Sequence, residues 1–226
     1  MPFQLAEAVP WGRSFDEYVA MFALSQRDLE SRILGCGDGP ASFNAELSAR
    51  GGRVVSVDPL YQCSAAAIRH RIREVTPIVI DQLRKNLEGF VWHHFGSVEA
   101  VESARLRAMT VFLDDYARPD RSARYVAGTL PALPFAAGAF DLALCSNFLF
   151  LYSEHFPLEF HRASIRELVR LAPEVRVFPL VELSGARSRH LDAVIDALQG
   201  DGCTVAIRDA GYEFQRGATQ MLTLHR

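Results

Sequence analysis

The sequence predicts an α/β fold: a doubly wound, mostly parallel seven-stranded sheet with an antiparallel last strand and a helical insertion. Three observations predict it. Short apolar runs with little polar alternation recur along the chain, as they do where parallel strands are buried on both faces. Most of these runs are followed by amphipathic stretches of helical spacing. A glycine-rich turn, Gly35-x-Gly37-x-Gly39, joins the first run to a helix.

A chain of 226 residues, 49% apolar and 23% charged, suits one compact domain over residues 1–226. With 24 basic and 27 acidic side chains the net charge is −3, so no strong field draws the chain to nucleic acid or to a membrane surface. Residues 1–20 lack a basic start followed by an unbroken apolar run, so they do not read as a secretory signal, and no segment has the length of a membrane span. Cys36, Cys63, Cys145 and Cys203 form no C-x-x-C pair, which argues against a zinc knuckle and against a disulfide framework. The expectation is a cytoplasmic protein with reduced thiols and no metal site.

In chain order, Ser14 is a candidate N-cap, and Phe15, Tyr18, Val19, Phe22 and Leu29 give one amphipathic helix over about 14–29. Ile33-Leu34 starts the first strand, the glycine turn follows, and a helix runs through Phe43 and Leu47 to Gly51-Gly52. "RVVSVD" at 53–58 is the second strand, and the next, "RYVAG", begins only at Arg124. The 65 residues between them exceed what one crossover needs and define a helical insertion at about 62–123. Ile68, Ile72 and Val75 mark one helix, Val79, Leu83 and Phe90 a second after the start signal Thr76-Pro77, and Val101, Met109, Phe112 and Tyr116 a third. Such an insertion is placed to lid the substrate site. A loop then leads to strand "FDLALCS", a helix over about 157–171, strand "EVRVFPLVEL", a helix over about 189–199, and strand "CTVAIRDA". The polar link "GYEFQRGA" is short, so the final strand "TQMLTLH" closes an antiparallel hairpin.

The glycine turn allows close approach of backbone to a ligand. Asp58 stands at the end of the second strand, 19 residues beyond Gly39, where a carboxylate accepts hydrogen bonds from both ribose hydroxyls. Together they point to an adenosine-type ligand. The third glycine arrives one residue earlier than in the dinucleotide pattern G-x-G-x-x-G, and Asp38 near the helix start repels a diphosphate while attracting an ammonium.

"ILGCGDG", "VVSVDP" and "AGTLPALPFAAGAFDLALCSNFLFLY" resemble, in order, three motifs of the class I, Rossmann-like S-adenosylmethionine-dependent methyltransferases, over about residues 30–180. The resemblance implies S-adenosylmethionine as cofactor, with Gly35, Gly37 and Gly39 beside the methionine moiety, Asp58 on the ribose and Pro59 against adenine. It also implies Thr129 and Leu130 at the adenine edge and Ser146 below the sulfonium. Ile33 stands where most members carry an acid, and Thr129 where an adenine-binding Asp is common, which leaves Asp38 or backbone carbonyls for the ammonium and the Thr129 hydroxyl for adenine.

Tyr61, Asn147, Phe148, Tyr152 and His155 follow the ends of the second and fourth strands and are the candidate substrate residues, His155 as a possible general base. The turn after Cys145 lacks the prolines of enzymes that methylate bases, so the expected acceptor is a small molecule or a protein side chain, not nucleic acid. Arg69-His70-Arg71 with Arg73 spreads around a helix as a solvated face, and neighbouring Asp114 and Asp115 diverge on theirs. No catalytic residue and no role for the Tyr212–Gly217 turn emerges. The alternatives are a cofactor-binding protein without catalysis and a nucleotide-dependent oxidoreductase.

Overall fold

Seven strands, β1 (Arg32–Cys36), β2 (Arg53–Val57), β3 (Tyr125–Val126), β4 (Leu142–Ser146), β5 (Glu174–Phe178), β6 (Thr204–Asp209) and β7 (Gln220–His225), form one sheet in a computed structural model. Residues 9–226 are described; residues 1–8, part of the stretch read as lacking a secretory signal, lie outside them. The order is β3-β2-β1-β4-β5-β7-β6. The first five strands are parallel, and β7 lies antiparallel between β5 and β6, so the predicted hairpin also inserts its last strand into the sheet.

Successive side chains of a strand point to opposite faces, and β1 and β4 use this to build two cores. Ile33, Leu142 and Leu144 pack with Phe15, Tyr18, Phe22 and Phe43 on one face. Leu34, Cys36, Ala143 and Cys145 pack with Ile165, Leu168 and Val194 on the other. The first face carries α1 (Phe15–Met21) and α3 (Phe43–Ala49), and the second carries α6 (Leu158–Leu171) and α7 (Leu191–Gly200). All four cysteines are free, although Cys36 and Cys145 stand opposite each other in the β1–β4 register. No described helix is long and apolar enough to cross a membrane.

Three boundaries differ from the sequence reading. The predicted helix over 14–29 is two helices, α1 and α2 (Gln26–Leu29), because Ala23 takes φ +47° and Ser25 starts again. Both Ser14-x-x-Glu17 and Ser25-x-x-Asp28 form reciprocal capping boxes, so two start signals stand in the sequence. Thr76-Pro77 starts nothing; it lies within α4 (Ala65–Lys85). Proline there removes one intrahelical donor, and the helix continues because Val75, Thr76, Val79 and Ile80 are all buried, with the Thr76 hydroxyl donating to the Ile72 carbonyl at 2.7 Å. The residues between β2 and β3 thus hold two long helices, α4 and α5 (Val98–Tyr116), and α5 packs on both α4 and α3. The link from β3 to β4 contains no helix, and "EVRVFPLVEL" is strand only as far as Phe178, since Pro179 cannot donate to a sheet ladder.

A buried charge cluster ties the first face together. Arg105 of α5 is 0% exposed and pairs with Glu17 of α1. Tyr212, from the β6–β7 link, donates to Glu17 at 2.6 Å and accepts from Arg105 at 3.3 Å. Burial pushes the Glu17 carboxyl upward, and the Arg105 charge and hydrogen bond outweigh this and hold it at about 2. Its folded-state value is therefore depressed, so the stabilisation is present above the ordinary carboxylate range and is lost as the pH falls toward 2. Removing one partner of such a pair leaves an uncompensated buried charge. Arg105→Met is expected to lower unfolding free energy by about 3–5 kcal/mol in urea titrations. A variant within 1 kcal/mol of wild type, on the order of an exposed pair, would contradict this account of the cluster.

Candidate functional site

The chain winds outward from β1 to β2 and β3, then returns to β4 on the other side of β1. At such a reversal the loops after neighbouring strands diverge and leave a crevice. A cavity of about 330 Å³ lies there, floored by Cys36, Val57 and Ser146 at the strand ends.

The glycine loop is shaped by close approaches. A Cβ on Gly35 would stand 1.9 Å from the Asp38 carboxylate, so only a bare Cα leaves room for it. Gly37 has φ +71°, and a Cβ there would meet the Phe148 Cβ at 2.9 Å. The Gly37 amide donates to the Val57 carbonyl at 3.0 Å, and the Gly39 amide to Asp58 Oδ2 at 2.9 Å. The other Asp58 oxygen accepts from the Leu60 amide at 2.8 Å. Asp58 thus clamps the loop after β1 to the turn after β2 while its carboxylate lines the cavity.

Asp38 also lines the cavity and is 6% exposed. Its two oxygens accept from the Tyr18 hydroxyl at 2.8 Å and the Ser56 hydroxyl at 2.5 Å. Burial is the main cause that raises its carboxyl, to about 7; the two hydroxyls oppose it and the Asp58 charge adds to it. Asp58 is raised as well, by burial against its two amide donors.

Of the residues singled out in the sequence, Gly37, Gly39, Asp58, Pro59, Thr129, Leu130 and Ser146 line this cavity, as do Asn147, Phe148 and Tyr152. Three do not. Gly35 lies beneath it, against Asp38. Tyr61 is packed among Phe112, Tyr116 and Tyr125, and its hydroxyl donates to the Gly39 carbonyl at 2.7 Å, which makes it a prop of the loop. His155 is exposed beside Tyr152 and is not part of the cavity lining. The Thr129 hydroxyl is turned to the Leu130 carbonyl at 3.2 Å. Asp115, considered above as half of an acidic pair, binds Arg124 and Tyr125.

Sequence reasoning missed the wall contributed by Trp11, Arg13 and Tyr18. The Ser42 amide donates to the Arg13 carbonyl at 3.0 Å, which lays the segment before α1 along the glycine loop. The Ser14 capping box fixes where this segment ends, but its contact with a loop 25 or more residues away carries no local pattern. On the far side, His161 of α6 meets the Leu149 carbonyl at 3.0 Å and Ser153 at 3.3 Å, and so holds the Asn147–Tyr152 turn in place.

No family model matches the chain. Uncharacterized protein MJ0045 of Methanocaldococcus jannaschii is 31% identical over 227 residues, spanning 98% of both chains. The methyltransferase domain of bacterial CtHen1-CN superposes with a TM-score of 0.51 at 13% identity, covering 94% of this chain and 97% of that one. Its CtHen1-C form gives 0.50 at 12% identity, covering 93% and 95%. At these identities the two structures speak for the fold. The chain therefore belongs to the same family as MJ0045, and its fold is that of the class I, Rossmann-like methyltransferases.

Proposed function

We propose that this protein is an S-adenosylmethionine-dependent methyltransferase acting on a small-molecule or protein acceptor. The observation that carries the reading is the clamp of Asp58 on the glycine loop beside a cavity of about 330 Å³, within the usual range of small-ligand sites. The site's own chemistry supports the cofactor. A carboxylate has lone pairs for about four partners; Asp58 uses two on backbone amides, which leaves acceptors for two ribose hydroxyls. Asp38 offers a buried carboxyl with two hydroxyl donors and no cation beside it among the described residues, which suits the ammonium of the methionine moiety. Two carboxylates on one cavity oppose a pyrophosphate, which counts against the oxidoreductase alternative.

Bound there, the cofactor supplies an electrophilic methyl group on a positively charged sulfur. The chain's contribution is position and dryness. Pro59 and Leu130 flank the adenine end, and Ser146, Asn147 and Phe148 surround the methyl end. Trp11 and Tyr152 supply an apolar wall against water. Among the described residues no histidine lines the cavity.

Asp58→Ala removes two charge-assisted hydrogen bonds to ribose and should cost about 2–5 kcal/mol of S-adenosylhomocysteine binding in calorimetry, roughly thirtyfold to several thousandfold in Kd. Unchanged affinity in a folded variant would remove the site assignment, and tight NAD binding by the wild type would redirect it to a dinucleotide.

Asp38 gives a pH signature. Its folded value of about 7 is raised, so the ligand-free protein loses stability as the pH climbs from the ordinary carboxylate range to about 7. An ammonium in contact favours the ionised carboxylate, so affinity should rise over the same window. S-adenosylhomocysteine is expected to bind on the order of tenfold more weakly at pH 5.5 than at 7.5, and Asp38→Asn should flatten that profile. An equal pH slope in wild type and variant would show that the ammonium is held elsewhere.

A further inference from the structure

A second cavity, of about 100 Å³, adjoins the first and shares with it Trp11, Arg13, Asn147 and Tyr152. Its remaining wall is largely apolar, with Val79 and Leu83 from α4, Phe178 at the end of β5 and Phe214 from the β6–β7 link. One charged side chain, Arg13, stands at the junction. Its guanidinium donates to the Trp11 carbonyl at 2.9 Å and to Asn147 Oδ1 at 3.3 Å, both neutral acceptors. Its Nε is buried with no partner, and among the described residues no carboxylate pairs with it. Glu17, the nearby acid, is already committed to Arg105 and Tyr212.

Partial burial of a cation without a counter-ion is costly, and the cost is relieved when an anion arrives. Arg13 borders both cavities: burial and repulsion from Arg105 lower its proton affinity, while Tyr212, which lines the second cavity, Glu17, and Tyr18, which lines the first, act the other way.

We infer that the second cavity is the acceptor subsite and that the acceptor is a small monocarboxylate with an apolar body, its carboxylate paired with Arg13. The inference rests on the methyltransferase reading for the word acceptor; the anion site itself does not. A single unmatched cation suits a single negative charge, and the guanidinium fork suits a planar carboxylate. A dianion would leave its second charge against the apolar wall. The volume sets the size: a dry cavity of about 150 Å³ accepts benzene, so about 100 Å³ suits a short branched chain and not a ring.

The test uses the full chain and two titrations. 2-Methylpropanoate and 3-methylbutanoate, each against its neutral amide, are titrated by ligand-observed NMR with and without saturating S-adenosylhomocysteine, and S-adenosylhomocysteine is titrated by calorimetry. In wild type at least one carboxylate should bind about tenfold more tightly than its amide. Arg13→Met should abolish that preference. Val79→Phe, which fills the apolar end and leaves Arg13 untouched, should weaken the carboxylates in the same way, so a poorly folded Arg13 variant does not decide the matter. Equal binding of acid and amide overturns the proposal. So does an Arg13→Met protein that loses S-adenosylhomocysteine affinity and keeps the carboxylate preference, since Arg13 would then serve the cofactor's own carboxylate. Carboxylate binding through Arg13 in a wild type that does not bind S-adenosylhomocysteine upholds the anion site and removes the methyltransferase reading instead.

Discussion

The site depends on one close approach, the Asp38 carboxyl lodged against the bare Cα of Gly35. Any side chain at Gly35 would occupy the place of that carboxyl. The carboxyl in turn accepts from Tyr18 of α1 and Ser56 of β2, so a single buried group registers the first helix, the glycine loop and the second strand against one another. Burying a carboxyl disfavours its charge, and the rise to about 7 follows from it. The strain is electrostatic, and a bound cation relieves it.

A second buried group ties the first face of the sheet together. Arg105 joins α1 to α5 and, through Tyr212, to the link between β6 and β7. Those elements are far apart in sequence. Replacing such a cluster with well-packed apolar side chains is often neutral or stabilising, so net stability alone does not account for it. Its geometric effect is clearer. Glu17 is fully engaged by Arg105 and Tyr212, and Arg13, one turn of backbone earlier, is left without an anion.

Local patterns carried much of this fold in the sequence. Strands buried on both faces, the glycine turn and Asp58 at the end of β2 need only short-range reading; Pro59, Thr129, Leu130 and Ser146 came from the resemblance, and seven of the eight residues so assigned around the cofactor line the cavity. What was illegible depends on tertiary contact. Pro77 reads as a helix start because propensity dominates in isolation, whereas burial of Val75, Val79 and Ile80 carries α4 through it. Tyr61 and His155 both follow strand ends, yet one is drawn into an aromatic cluster and the other left on the surface, and sequence position does not distinguish them. Trp11 and Arg13 precede the first capping box, where no periodicity marks a contact with the glycine loop.

The signs of charge along the joined cavities favour one order of occupants. Asp58 and Asp38 lie at the end formed by β1 and β2, Arg13 stands at the junction, and beyond it the wall is apolar. On the proposed reading, the ammonium and sulfonium of the cofactor would be stabilised at the first end and repelled by Arg13, while its carboxylate would be attracted to Arg13. A carboxylate-bearing acceptor meets the reverse field: it is attracted to Arg13 and turned away from Asp38 and Asp58. In a space with little water these interactions are weakly screened. On the proposed reading, the same few charges would hold two ligands in adjoining sites, which is the arrangement a direct transfer between them requires.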